Sequence, residues 1–339
     1  MILNRNTWYY VFIDSFNEGC DLMIITKLTK EKIISSLYIV NYPHYQEELC
    51  KMEIKYLLNS KLIKKFAFST VFIEPERSPY IKECLRILKA CENFEEVLVY
   101  IKSLELQLNN FKVLFLKVDE DVSYEERMAY VGEVGKCIEG EPKMKDPKIM
   151  LGISKVEGKW VFGIYEKNNF EWHIHEKKPY NYSNALTMRI AKAILNIAIG
   201  TDLECSVVDP CCGVGTVIIE GLSIGANIKG VELNPLIASN AKKNLEFFGM
   251  DSSLIKCGNM HELNDRFDVA IIDLPYGLFT KCTLKEQTDI ISSARRICDK
   301  LLIVTMEDMS NHIRDAGFEI VEVASVTKGN FIRYITLCK

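Results

Sequence analysis

The residues of this chain best suited to chemistry lie in its second half. The run Val207-Val208-Asp209-Pro210-Cys211-Cys212-Gly213-Val214-Gly215-Thr216 joins a short apolar segment to a helical pattern. Gly213 and Gly215 permit a tight turn and a close backbone approach to a ligand, at the sheet edge where strand-helix folds hold cofactors. A bare Gly-x-Gly also suits an ordinary strand-to-helix turn. Glu232 adds a second signal: it ends the next strand-like segment, Gly230-Val231-Glu232-Leu233-Asn234, 23 residues after Asp209. A carboxylate there can accept hydrogen bonds from both hydroxyls of an adenosine ribose. A nicotinamide dinucleotide fits less well, because the third glycine of Gly-x-Gly-x-x-Gly falls at Ile218, leaving no small residue beside a pyrophosphate. Further on, Ile271-Ile272-Asp273-Leu274-Pro275-Tyr276-Gly277 sets a carboxylate, a proline and an aromatic ring directly after another strand pattern. Taken singly, those residue types also make a strand-to-loop turn.

The elements that must position these residues alternate regularly. A helical pattern over Ala185 to Ile199, with Ser183 as its N-cap, precedes strand-like Ser206 to Asp209, helical Gly215 to Ile224, strand-like Ile228 to Glu232 and helical Pro235 to Phe248. The last of these opens with Asn234 as cap and Pro235 at the first helical position. Strands near Leu254 to Cys257, Val269 to Asp273 and Leu301 to Thr305 follow, with helices near Leu284 to Cys298 and Ser310 to Ala316. The chain ends on alternating patterns, Glu319 to Val326 and Phe331 to Cys338, joined by Thr327 to Asn330 as a hairpin. The N-terminal half is mixed. Strand signals fall at Tyr9 to Ile13, Leu22 to Thr26, Ser36 to Val40, Val97 to Ile101, Phe111 to Val118, Ile149 to Val156 and Lys159 to Tyr165. Helical spacing falls near Glu47 to Leu58, Tyr80 to Leu88 and Ser123 to Ile138. The polar stretch Glu166 to Ser183 reads as a linker.

Length and composition bound the rest. The chain has 339 residues, 48% hydrophobic and 26% charged, which points to two or three folded domains and not to disorder. Met1 to Asn6 lacks the pattern of a signal peptide, and apolar runs such as Ala193 to Ile199 are too short to span a bilayer, so a cytoplasmic protein without a membrane segment is expected. Twelve cysteines contain no Cys-x-x-Cys pair, and the five histidines lack zinc-ligand spacing, so reduced thiols and no metal are expected. A net charge of -4 argues against nonspecific coating of nucleic acid, but leaves room for one local basic surface.

Asp-Pro-Cys-Cys-Gly-Val-Gly-Thr followed by Gly-Val-Glu-Leu-Asn-Pro resembles the cofactor motifs of class I S-adenosylmethionine-dependent methyltransferases. The resemblance implies an α/β fold, with a seven-stranded, mostly parallel sheet and an antiparallel last strand. It implies that Asp209 lies near the methionine amino group and that Gly213 and Gly215 line the cofactor. Asn259, in Lys256-Cys257-Gly258-Asn259-Met260, stands where the family commonly has an aspartate that meets the adenine amine; its amide oxygen can still accept that bond. The Asp273 segment resembles the (Asp/Asn)-Pro-Pro-(Tyr/Phe) motif of enzymes that methylate exocyclic amines, with Leu274 replacing the first proline. An amine conjugated with a ring is a poor nucleophile, so it must be held by its hydrogens with its lone pair aimed. The resemblance implies that Asp273 and the Pro275 carbonyl are the acceptors, that Asp273 takes the released proton, and that Tyr276 stacks on an extruded base.

Residues 111–164 resemble a THUMP domain, through a strand ending at Val118, a helix with Arg127, Gly132 and Gly135, and Lys145-Asp146-Pro147-Lys148-Ile149. Lys143, Lys145, Lys148, Lys155 and Lys159 cluster there; they suit phosphate contacts, and equally a solvated surface interleaved with glutamates. Tyr42 to Leu58 and Lys178 to Ser183 also resemble segments of the bacterial branch of THUMP-containing tRNA guanine-N2-methyltransferases. That resemblance implies an α+β N-terminal region ahead of the catalytic domain: a ferredoxin-like portion over residues 1–100, a THUMP-like RNA-binding domain over 101–168, a linker over 169–182 and the catalytic domain over 183–339. It implies a tRNA guanosine substrate, with position 10 as a target, S-adenosylmethionine as cofactor, and Ser183 and Asn184 beside the cofactor unless they merely cap a helix. A DNA or ribosomal RNA amino-methyltransferase and an RNA-binding protein with an inactive methyltransferase scaffold remain as alternatives.

Overall fold

The computed structural model describes residues 33–182, 185–275, 282–328 and 331–339. The segments expected as strands at Tyr9 to Ile13 and Leu22 to Thr26, the tip of the final hairpin, and the site residues Ser183, Asn184 and Tyr276 lie outside them. The chain divides into two units, one of residues 1–39, 64–72 and 82–167, the other of 40–63, 73–81 and 168–339.

Strand β1 (Ser35–Val40) leads to helix α1 (Glu47–Leu58), which groups with the second unit. Its buried face carries Leu49, Met52, Glu53, Ile54, Leu57 and Leu58, and Asn59, at φ 49°, ends it in a left-handed turn. The first unit is then completed by β2 (Phe66–Ser69), β3 (Ile81–Cys91), α2 (Phe94–Ser103), β4 (Phe111–Phe115), α3 (Tyr124–Lys136), β5 (Ile149–Val156) and β6 (Lys159–Lys167). Its six strands form one sheet in the order β2-β1-β3-β6-β5-β4. Ser123 and Glu126 make a reciprocal capping box at the start of α3.

Two expectations are corrected in this unit. Tyr80 to Leu88 has helical spacing but contains most of β3, and Val97 to Ile101 reads as a strand but is helical in α2. Strand β3 lies between two partners and carries a bulge between Ile87 and Lys89, so its apolar positions drift off a strict alternation. Close pairing is possible because Gly163 stands opposite: a Cβ there would come 1.9 Å from the Arg86 carbonyl oxygen. In α2 the β-branched run is overridden by tertiary packing, which buries Val97 and Ile101 one turn apart in the same core as Leu104 and Trp160.

The second unit continues with α4 (Met188–Ile199), β7 (Val207–Asp209), α5 (Thr216–Ser223), β8 (Ile228–Glu232), α6 (Pro235–Phe247), β9 (Ile255–Cys257), β10 (Phe267–Asp273), α7 (Leu284–Ile297), β11 (Cys298–Thr305), α8 (Ser310–Asp315), β12 (Ile320–Lys328) and β13 (Phe331–Cys338). The sheet order is β12-β13-β11-β10-β7-β8-β9, and β13 runs antiparallel to both its neighbours. This is the seven-stranded sheet with an antiparallel last strand that the resemblance implies. Thr187, not Ser183, caps α4, accepting from the Ile190 N–H, so residues 185–187 remain outside the helix. Apart from Arg189 every residue of α4 is buried, which makes it a core helix and not a surface one. Strand β7 is buried throughout and β10 from Val269 to Ile272, as a sheet covered on both faces requires.

Helix α1 joins this unit through polar contacts as well as apolar ones. Glu48 accepts from Ser325 N–H and Oγ–H at 2.7 Å each, and Glu322 accepts from Lys55 and from Tyr56 at 2.9 Å. Inside, the fully buried Glu53 accepts from Ser78 Oγ and Asn196 Nδ2, both at 2.6 Å. Burial pushes the Glu53 carboxyl up to about 7 against the pull of those two hydrogen bonds.

Candidate active site

A cavity of about 550 Å³ opens at the carboxyl ends of β7, β8 and β10, the edge where open α/β sheets bind ligands. Asp209, Gly213, Glu232, Asn259, Asp273 and Pro275, six of the residues singled out from the sequence, line it together. Gly215 sits beside them as the N-cap of α5, and Tyr182, Ala185 and Leu186 contribute the segment before α4.

The glycine turn works for two separate reasons. Gly213, at φ 52°, adopts a left-handed backbone and aims its N–H at Glu232 Oε2, 3.0 Å away. Gly215, at φ 82°, also lies against α6, where a Cβ would meet Leu245 Cδ1 at 3.3 Å. Glu232 is held at its other oxygen by the Asn234 N–H at 2.8 Å. Each carboxylate oxygen keeps a lone pair after these bonds, so the pair suits the two hydroxyls of a ribose.

Asn259 differs from the expectation in one respect. Its amide oxygen accepts from the His261 N–H at 3.0 Å and caps the short turn Met260–Glu262. The acceptor foreseen for an adenine amine is therefore already engaged locally, with one lone pair to spare.

Asp273 closes β10, which lies between β7 and β11. Its Oδ1 is buried without a hydrogen-bond partner among the described residues. Burial raises the carboxyl from 3.8 to about 7, opposed by the Arg333 charge. Asp209, also buried, accepts from the Cys211 N–H at 3.2 Å and is raised well above the usual range by burial and by the charges of Asp273 and Glu232. Leu274, the departure from the amine motif, donates its N–H to the Val304 carbonyl at 2.9 Å and buries its side chain. A proline lacks that N–H, so the added sheet bond supplies stiffness that a ring would otherwise provide.

Sequence reasoning missed Asn244. Fully buried on α6, it donates from Nδ2 to the Val214 and Tyr180 carbonyls, both at 2.9 Å, and accepts the Tyr180 N–H at 2.9 Å. It thus ties the segment before α4 to the glycine turn. The signal was present, since Asn244 falls on the apolar stripe of Ala238, Ala241 and Leu245.

The charge of the site limits its ligands. Among the described residues lining the cavity are Asp209, Glu232, Asp273 and Glu286, and no lysine or arginine. Such a lining suits a cationic ligand and opposes a pyrophosphate. S-adenosylmethionine, with a sulfonium and an ammonium group, fits this donor and acceptor set. Among the described residues no group of three or more His, Cys, Asp or Glu side chains could hold a metal ion, and no helix is long and apolar enough to cross a membrane.

Lys143, Lys145 and Lys148 belong to the other unit, where all three are exposed. Lys155 and Lys159 pair with Glu120 at 2.9 Å and Glu92 at 3.4 Å, which removes them from a net basic surface.

Residues 175–330 match the model of the UPF0020 family, described as RMKL-like, methyltransferase domain. The chain is 26% identical over 121 residues to the tRNA (guanine(10)-N2)-dimethyltransferase of Pyrococcus abyssi, covering 34% of this chain and 36% of that protein. It is 26% identical over 187 residues to the enzyme of the same name from Methanocaldococcus jannaschii, covering 50% and 53%. The match thus spans about a third to a half of these curated relatives. The solved structure of TrmN from Thermus thermophilus aligns over 90% of this chain and 99% of that one, with 15% identity and a TM-score of 0.45.

Proposed function

We propose that this chain, whose residues 175–330 match the UPF0020 methyltransferase-domain family, transfers a methyl group from S-adenosylmethionine to the N2 amine of a guanosine in tRNA. The observation that carries the reading is the cavity's lining, with four acidic side chains and no described lysine or arginine, and the buried Asp273 Oδ1 awaiting a donor. The guanine and tRNA parts rest on the resemblance to tRNA guanine-N2-methyltransferases named above.

The cofactor supplies an electrophilic methyl on a positively charged sulfur. Glu232 holds the ribose hydroxyls, Asp209 receives the ammonium group, and Gly213 gives the backbone clearance for close contact. Asp273 and the Pro275 carbonyl accept the two N–H bonds of the amine, which aims its lone pair at the methyl carbon. Bound S-adenosylmethionine would give up its methyl to the amine nitrogen, its sulfur keeping the electron pair of the S–C bond, and Asp273 would take the proton that the amine loses. Tyr276, outside the described residues, is the proposed stacking partner of the base, and Ser183 a proposed neighbour of the cofactor. Residues 101–168 act as the THUMP-like RNA grip, with Lys143, Lys145 and Lys148 contacting phosphates. Position 10 is the first position to examine, and a cytoplasmic location follows from a tRNA substrate.

The test is methyl transfer from labelled S-adenosylmethionine to unmodified tRNA, ribosomal RNA and DNA, with nucleoside analysis. N2-methylguanosine or N2,N2-dimethylguanosine in tRNA supports the proposal. Label confined to DNA bases or ribosomal RNA overturns the substrate, and cofactor binding without label on any of them overturns the activity.

A further inference from the structure

The Pro275 carbonyl, assigned above as one acceptor for the substrate amine, already has a partner. Gln287, in the first turn of α7, donates Nε2–H to it at 2.8 Å. Only an N–H can serve a carbonyl oxygen, so the orientation of the Gln287 amide follows from its partner. Pro275 lines the cavity and Gln287 does not. A carbonyl oxygen has two lone pairs and Gln287 uses one, so the second is left for a ligand in the cavity.

The helix that carries Gln287 is itself rigidly started. Thr283 Oγ accepts from the Glu286 N–H at 3.2 Å, and Glu286 Oε2 accepts from Thr283 N–H and Oγ–H at 2.6 and 2.8 Å. Further along the helix, Ile290, Ile291, Ala294 and Ile297 are buried in the same core as Leu274. The donor to Pro275 is thus fixed by a capped and packed helix, and the carbonyl is held from both flanks: Leu274 N–H bonds to β11 and Gln287 bonds to Pro275 itself.

We propose that Gln287 is a positioning residue for methyl transfer, fixing the Pro275 carbonyl in the direction from which it accepts an N–H of the substrate amine. This inference rests on the amine-methylation reading of the cavity. Gln287 touches neither substrate nor cofactor; it acts by removing freedom from an acceptor whose aim matters, since orientation supplies much of the rate for a weak nucleophile.

Two variants of the full chain test it. Gln287→Met keeps length and helix propensity and deletes the donor; Gln287→Glu replaces the donor with a carboxylate that repels the carbonyl until it is protonated. For Gln287→Met, kcat for tRNA methylation should fall about tenfold, while the Kd for S-adenosylhomocysteine and the KM for tRNA stay within about twofold. For Gln287→Glu the loss relative to wild type should be larger near pH 8 and should shrink as pH falls toward about 5.5, because the protonated carboxyl regains an O–H donor. A role confined to folding would lower the melting temperature and cofactor affinity together and would give no pH-dependent recovery. Unchanged kcat in both variants, or a loss that tracks cofactor Kd, overturns the inference alone. A wild-type chain that binds cofactor and methylates no nucleic acid overturns the functional reading and this inference with it.

Discussion

Activity at low cofactor concentration should rise with pH, pass half its maximum near 7 and level off about one unit higher, because Asp273 must be ionised to accept an N–H of the amine and then its proton. Burial raises this carboxyl from 3.8 to about 7 in the folded chain. That gap corresponds to ~4 kcal/mol favouring the neutral form over its solvated equivalent. The sign follows directly: below the folded value the carboxyl is protonated and presents an O–H where an acceptor is needed, and above it the acceptor is restored. Two pH units below that folded value, kcat/KM should be ~100-fold below its plateau. Binding of a sulfonium beside the carboxylates favours the ionised form, so the profile of kcat should break at a lower pH than that of kcat/KM. Asp209 in the same cavity is also raised, which steepens the acid limb without removing it. The assay is a radiometric rate measurement from about pH 5 to about pH 9, with Asp273→Asn alongside. A flat wild-type profile, or an Asn variant with wild-type rate, would refute the assignment.

Further tests address the supports of the site. Asn244→Ala strips partners from the Val214 and Tyr180 carbonyls and the Tyr180 N–H; it should cost ~2–4 kcal/mol in denaturant unfolding and weaken S-adenosylhomocysteine binding. Wild-type affinity in that variant would detach the clamp from the cofactor site. Glu232→Gln should weaken S-adenosylhomocysteine by roughly 10- to 100-fold in calorimetry, since an amide N–H2 then faces a ribose hydroxyl or the Gly213 or Asn234 N–H. Equal binding would remove Glu232 from the cofactor site. Glu53, raised from 4.5 to about 7, keeps its proton in the fold where the unfolded chain has lost it. Wild-type stability should therefore drop relative to Glu53→Gln as pH rises from about 4.5 to about 7, by up to ~3 kcal/mol, and a pH-independent difference would contradict this. Replacing both Lys143 and Lys145 with alanine should weaken tRNA binding and lower its salt slope by about 2, and an unchanged slope would exclude phosphate contacts there.

The catalytic half was legible because its signals are local. Each strand end that carries Asp209, Glu232 or Asp273 is followed within two residues by a turn residue, Pro210, Asn234 or Pro275, and the alternating final hairpin identifies the antiparallel strand. The boundary near residue 187 was misjudged because a second cap, Thr187, lies behind Ser183. The N-terminal half was less legible because tertiary pairing decides it: β3 carries helical spacing in a strand between two partners, and β2 has only four residues. The grouping of α1 with the second unit depends on Glu48, Glu53 and Lys55 meeting residues more than a hundred positions away, which no local pattern encodes. Asn244 and Gln287 were overlooked for a related reason: their partners are backbone groups, and a backbone partner leaves no mark on the residue type opposite.

The central claim, transfer to an exocyclic guanine amine, is tested most directly by a pair of tRNA transcripts that differ at one base. Once the labelled position is mapped, that guanosine is replaced by inosine, which keeps the ring and the 6-oxo group and lacks only the 2-amino group. The account predicts full methyl transfer to the guanosine transcript and none to the inosine transcript, with both binding equally. Continued labelling at the inosine would contradict it, because no N2 amine would remain for Asp273 and Pro275 to hold.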